Sequence, residues 1–124
     1  MKRDVDLSRA ILAFVEEHCP PEGGLKERLE FEGYDYATIV AHAELLIEEH
    51  LLDGRVIKGL GAPPHVFVIK LTSSGHDALA AIRDDTVWQR AKKSALEHAV
   101  PLTVGALVAL IKAELRARLG LDLG

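Results

Sequence analysis

The sequence predicts an α+β protein that is mainly helical, and three observations carry that prediction. Apolar residues recur at three- and four-residue steps over most of the chain, the spacing of helices with one buried face. Two short runs, Arg55-Val56-Ile57 and Val66-Phe67-Val68-Ile69, are rich in β-branched and aromatic residues and flank Gly59, Gly61, Pro63 and Pro64. A helical pattern leads into this hairpin and another leads out of it. Helix, two-stranded hairpin, helix is the order of a winged helix. The expected architecture is therefore a winged helix-turn-helix-like domain over residues 1–83, with a C-terminal helical extension over residues 84–124.

Each element has its own reason. Val5, Leu7, Ile11, Leu12, Phe14 and Val15 form one face of a first helix, with Asp4 or Asp6 favouring its N-terminus and Cys19-Pro20-Pro21 ending it. Leu29-Glu30-Phe31-Glu32 alternates apolar and charged residues, which predicts a short strand running into a Gly33-Tyr34 turn. Asp35 is placed to cap a second helix with Tyr36, Ile39, Val40, Ala43, Leu46, Ile47 and Leu51 on its stripe. That helix is expected to reach about Leu52 and stop at Asp53-Gly54. After the hairpin, Thr72 caps a third helix reaching Arg83, which either continues or restarts after Asp84-Asp85 through Val87, Trp88, Ala91 and Leu96. Pro101 breaks the pattern, and a last helix from Thr103 carries Val104, Leu107, Val108, Ile111, Leu115 and Leu119, with Gly120 after its end.

Composition narrows the function classes. At 124 residues and 13.5 kDa, with 48% apolar and 27% charged residues, the chain has the proportions of a globular protein with one core. One cysteine excludes an internal disulfide framework. The opening MKRDVDLSRA is acidic too early for a signal peptide, and no stretch is long and apolar enough for a membrane span, so a cytoplasmic protein is expected. The net charge of −4 and pI near 5.8 argue against a strongly basic nucleic-acid binder. That charge is uneven: residues 1–82 carry 8 Lys+Arg and 14 Asp+Glu, whereas residues 83–124 carry 7 and 5. Such asymmetry can orient two chains or an acidic face against a basic partner.

Several stretches resemble an uncharacterised family of bacterial and phage proteins known as a domain of unknown function. They are Met1-Lys2-Arg3-Asp4 with Asp6-Leu7, Glu32-Gly33-Tyr34 leading to Ile39, His42 and Leu45-Leu46, and Leu51-Leu52. Further along they are Leu71-Thr72 with Gly75-His76-Asp77, the run Arg83-Asp84-Asp85-Thr86-Val87-Trp88, and the closing helix before Gly120-Leu121. More distantly, His42 to Leu79 resembles winged-helix regulators, in which H-x-x-L-L enters the wing and Leu-Thr-x-x-Gly follows it. The resemblance implies a fold and a phage or prophage relation, and carries no established activity. One departure stands out. A helix-turn-helix needs a supporting helix just before the recognition helix, yet only ten residues separate Gly24 from Asp35. Either Leu25 to Leu29 forms a single supporting turn, or the bihelical unit is degenerate.

As a DNA reader, the second helix would put Thr38 and His42 in the groove, with Arg55, Lys58 and Lys70 on the phosphate backbone. Its charges dissent, because Asp35 to Asp53 holds Asp35, Glu44, Glu48, Glu49 and Asp53 and no Lys or Arg. The rival reading is a protein-interaction module that presents Glu44, Glu48 and Glu49 to a basic partner, or that pairs two chains as a homodimer through Leu107, Ile111 and Leu115 of the last helix. No enzyme is expected. The six histidines match no ligand spacing, Ser73-Ser74-Gly75-His76-Asp77 is helix-start chemistry rather than a triad, and Gly59-Leu60-Gly61 is no phosphate cradle. No cofactor or metal is implied. His76 and Asp77 are expected near His42, Trp88 is expected as a core anchor between the two parts, and Cys19 shows no sign of activation.

Overall fold

A computed structural model describes residues 1–59 and 61–120. It contains α1 (Val5–His18), α2 (Tyr36–Glu48), β1 (Leu52–Ile57), β2 (His65–Leu71), α3 (Ser73–Ile82), α4 (Asp85–Glu97) and α5 (Val104–Leu119). The class is α+β and mostly helical, with one two-stranded antiparallel sheet. Each helix opens on a side-chain cap. Asp4, Asp35, Thr72, Asp84 and Thr103 each accept a backbone N–H of the first turn, which satisfies donors that the helix itself cannot. At the far end, Gly120 follows α5 in the left-handed conformation.

Three expectations about the middle of the chain are corrected. Residues 19–35 form neither a strand at Leu29–Glu32 nor a supporting helical turn. Strand pairing needs a neighbour, and this segment meets β2 through one backbone bond, from the Leu25 N–H to the Val68 carbonyl at 2.9 Å. Leu29 is nevertheless buried, so the segment is pinned by its side chain. Helix α2 ends at Glu48 rather than near Leu52, because His50 turns left-handed with φ of 61°. Asp53 and Gly54 then belong to β1, where they adjoin a bulge. The register runs Asp53 opposite Lys70 and Gly54 opposite Val68, leaving Ile69 as the extra residue.

The hairpin leads into α3 by a close backbone approach. The Thr72 hydroxyl donates to the His50 carbonyl at 2.6 Å, and its N–H donates to the Leu51 carbonyl at 3.2 Å. A Cβ at Gly75 would sit 1.9 Å from the Leu51 oxygen, so only glycine fits there. Helix α4 restarts after Arg83, and α4 and α5 pack on α1 and α3. A single apolar cluster runs from Val5 to Leu107 and includes Trp88, which is fully buried. The Trp88 indole N–H donates to Asp6 at 2.7 Å, and Lys92 pairs with the same carboxylate at 2.9 Å. Arg9 reaches the same region, donating to the carbonyls of Ile82 and Arg83 and pairing with Asp85. Among the described residues no helix is long and apolar enough to cross a membrane.

Candidate interaction surface

Helix α2 does not present the residues that were expected to read DNA. His42 is completely buried. It lies on the inward stripe of Ile39, Ala43 and Leu46, three and four residues apart, and the same spacing is visible in the sequence. Its Nδ1–H donates to the Thr38 carbonyl and its Nε2 accepts the Asp4 N–H, both at 2.8 Å, which fixes the tautomer. Thr38 is half-buried beside it. The Asp4 carboxylate also accepts the Tyr34 hydroxyl at 2.5 Å, a bond that raises the pKa of Tyr34 above its ordinary 10.0. His42, Asp4 and Tyr34 thus fasten the start of α1 to α2. His76 is not their neighbour: it faces Glu16 at 3.6 Å, and Glu16 also takes Arg83, whose bond holds that carboxyl below its usual range.

The three hairpin cations have separate fates. Lys58 is engaged by Glu44 of α2 at 3.1 Å. Arg55 and Lys70 are exposed and make no salt bridge among the described residues. In α5, Leu107 is wholly buried in the chain's own core and Ile111 is partly covered, whereas Leu115 is exposed. Ile111 and Leu115 border a groove of about 430 Å³ whose other walls include Ala81 and Val87. A cavity of about 510 Å³ along α1 and α3 has Ala10, Ala13 and Leu79 in its apolar lining, and Arg9, Glu16 and Arg83, which also line it, are already paired. Among the described residues no three His, Cys, Asp or Glu side chains are placed to hold a metal.

The most distinctive surface is the outer face of the hairpin. A two-stranded sheet whose second strand reads Val66-Phe67-Val68-Ile69 cannot cover both of its faces. Val66 and Val68 go inward, leaving Phe67 and Ile69 outside with Ile57. Arg55 stands directly opposite Phe67, and Ile57 opposite His65. The His65 ring meets Phe67 edge-on at 4.6 Å between centroids, and its Nδ1 lies 2.8 Å from the Tyr36 hydroxyl. Arg28 closes the row, its guanidinium 3.8 Å from the Tyr36 ring centroid. In the sequence, Tyr36 and Phe67 fall in ordinary apolar patterns and Arg28 carries no motif.

These features define a small, mostly helical α+β protein with exposed apolar side chains on the outer face of its hairpin. The chain belongs to the family described as Hypothetical protein (DUF2513), whose model matches residues 2–101, so the match ends before α5. It is 32% identical over 107 residues to an uncharacterized protein of Haemophilus influenzae, spanning 86% of this chain and 89% of that one. No solved structure matches.

Proposed function

We propose that the protein is a protein-interaction module on a winged-helix-like arrangement, with the hairpin as its contact surface. One observation carries this reading: Ile57, Phe67 and Ile69 are 44%, 50% and 49% exposed on one face of the sheet. Clustered apolar exposure of this kind is characteristic of surfaces that another protein covers. The winged-helix reading is supported by the order α1, α2, antiparallel hairpin, α3, with residues 24–25 lying along the outer edge of β2. Against DNA reading by α2 stand the burial of His42 and the acids Glu44, Glu48 and Glu49, which repel phosphates. A second copy of the chain is the partner proposed for α5.

DNA binding through the hairpin is the second reading, favoured by the freedom of Arg55 and Lys70 from salt bridges among the described residues. Gel-shift titration with mixed-sequence duplex DNA at about 20 mM salt, where phosphate attraction is strongest, separates the two. The interaction reading expects no complex. A complex that weakens steeply as salt is added, and that vanishes in an Arg55→Glu, Lys70→Glu variant, would replace it with the DNA reading.

A further inference from the structure

Beside β2, the segment Leu25–Leu29 and the strand enclose a shallow cavity of about 170 Å³ whose lining includes Lys26, Glu27, Arg28, His65 and Phe67. Tyr36 Oη accepts the Val66 N–H at 3.5 Å and is hydrogen-bonded to His65 Nδ1 at 2.8 Å. His65 Nε2 makes no hydrogen bond among the described residues. Arg28 is held by stacking on Tyr36 through one face of its guanidinium, which leaves its N–H groups as donors. Lys26 and Arg28 line the cavity with Glu27, Arg28 also borders Glu30 and Glu32 on its other side, and the exposed Arg55 stands opposite Phe67 across the hairpin. Next to these donors lie the exposed Phe67 ring and the aliphatic Ile57 and Ile69.

We propose that this face binds an acidic, apolar segment of a partner protein, with carboxylates received by Arg28 and Arg55 while apolar side chains rest on Phe67, Ile57 and Ile69. The proposal rests on the reading of the chain as a protein-interaction module. Charge complementarity selects the occupant: the site offers donors and cations, so the ligand supplies acceptors and negative charge. Nucleic acid fits less well. Ile57 and Ile69 are poor platforms for bases, and stacking surfaces for single strands are aromatic and more strongly basic.

Nuclear magnetic resonance titration of the full chain tests this directly. Four probes are used: a short peptide alternating glutamate and leucine, its glutamine–leucine and lysine–leucine counterparts, and a mixed-sequence DNA duplex. The expected result is that the acidic peptide shifts the signals of Arg28, Arg55, His65 and Phe67. The glutamine peptide should bind about tenfold more weakly and the lysine peptide not at all. Arg55→Gln and Phe67→Ser, both at exposed positions and therefore compatible with the fold, should each weaken the acidic peptide. Equal shifts from the acidic and neutral peptides, or none from any probe, overturn the proposal. Shifts from the lysine peptide alone overturn it but leave the interaction reading standing. Shifts at these residues from DNA alone overturn both.

Discussion

Asp6 holds the first helix against the fourth, and its ionisation carries a pH dependence. Burial pushes its carboxyl upward, but hydrogen bonds from Lys92 and Trp88 together with the charges of Lys92 and Arg9 outweigh this and hold it below the ordinary 3.8. A carboxylate held below its unfolded value stabilises the fold while it is ionised. Its contribution is therefore complete above about pH 4 and is lost as acid protonates the folded group. Thermal unfolding should show the wild type melting above Asp6→Asn at neutral pH, with the gap closing as pH falls through the acid range. A gap that persists in acid would mean that the carboxylate's charge contributes nothing. The caps were legible in the sequence, because an Asp or Thr before an apolar period acts on the next few N–H groups alone. The burial of His42 is legible too, since Ile39, His42, Ala43 and Leu46 share one stripe, although a polar ring at that position equally suits a surface role. What no pattern showed is its partner, the backbone of Asp4, thirty-eight residues away.

At the level of elements, periodicity located every helix and both strands of the hairpin, and failed where structure depends on a distant neighbour. Leu29-Glu30-Phe31-Glu32 has the alternation of a strand but, among the described residues, pairs with none. The stop of α2 at His50 carries no signal, since a left-handed histidine looks like any other. Helix α5 shows the limit of reading an apolar stripe as an interface. Its first turns are covered by the chain itself through Val104 and Leu107, while Leu115 and Leu119 remain 51% and 58% exposed. Self-association is therefore expected to depend on the second half of the helix. Light scattering should give twice the 13.5 kDa chain mass for the wild type and the single mass for Leu115→Asp. A wild type that is monomeric at high concentration would remove the homodimer from the proposal.

For the whole molecule, the division at residue 83 has to be weighed against a core that runs through it. Trp88, Ala91, Ala95, Val104 and Leu107 belong to the same apolar cluster as Val5, Ile11 and Ile82. Trp88 is the only tryptophan, so its fluorescence reports the C-terminal helices while far-ultraviolet circular dichroism reports all five helices of the described residues. With one shared core, both signals should change at the same denaturant midpoint. An earlier fluorescence transition would show that the C-terminal helices detach as a separate unit. Trp88→Ala should lower stability by about 3–5 kcal/mol, because it empties a fully buried site shared by both parts.

The bulge at Ile69 sets the parity of the strand. Counting along β2 from Val66, inward and outward positions alternate until Ile69 and Lys70, which both point outward, after which Leu71 points inward opposite Leu52. An unbroken alternation would have sent Leu71 into water and started α3 on the wrong side of the sheet. One supernumerary residue thus changes an odd count into an even one. It lets the same short strand display Phe67 outside and still deliver the Thr72 cap to the carbonyl of His50.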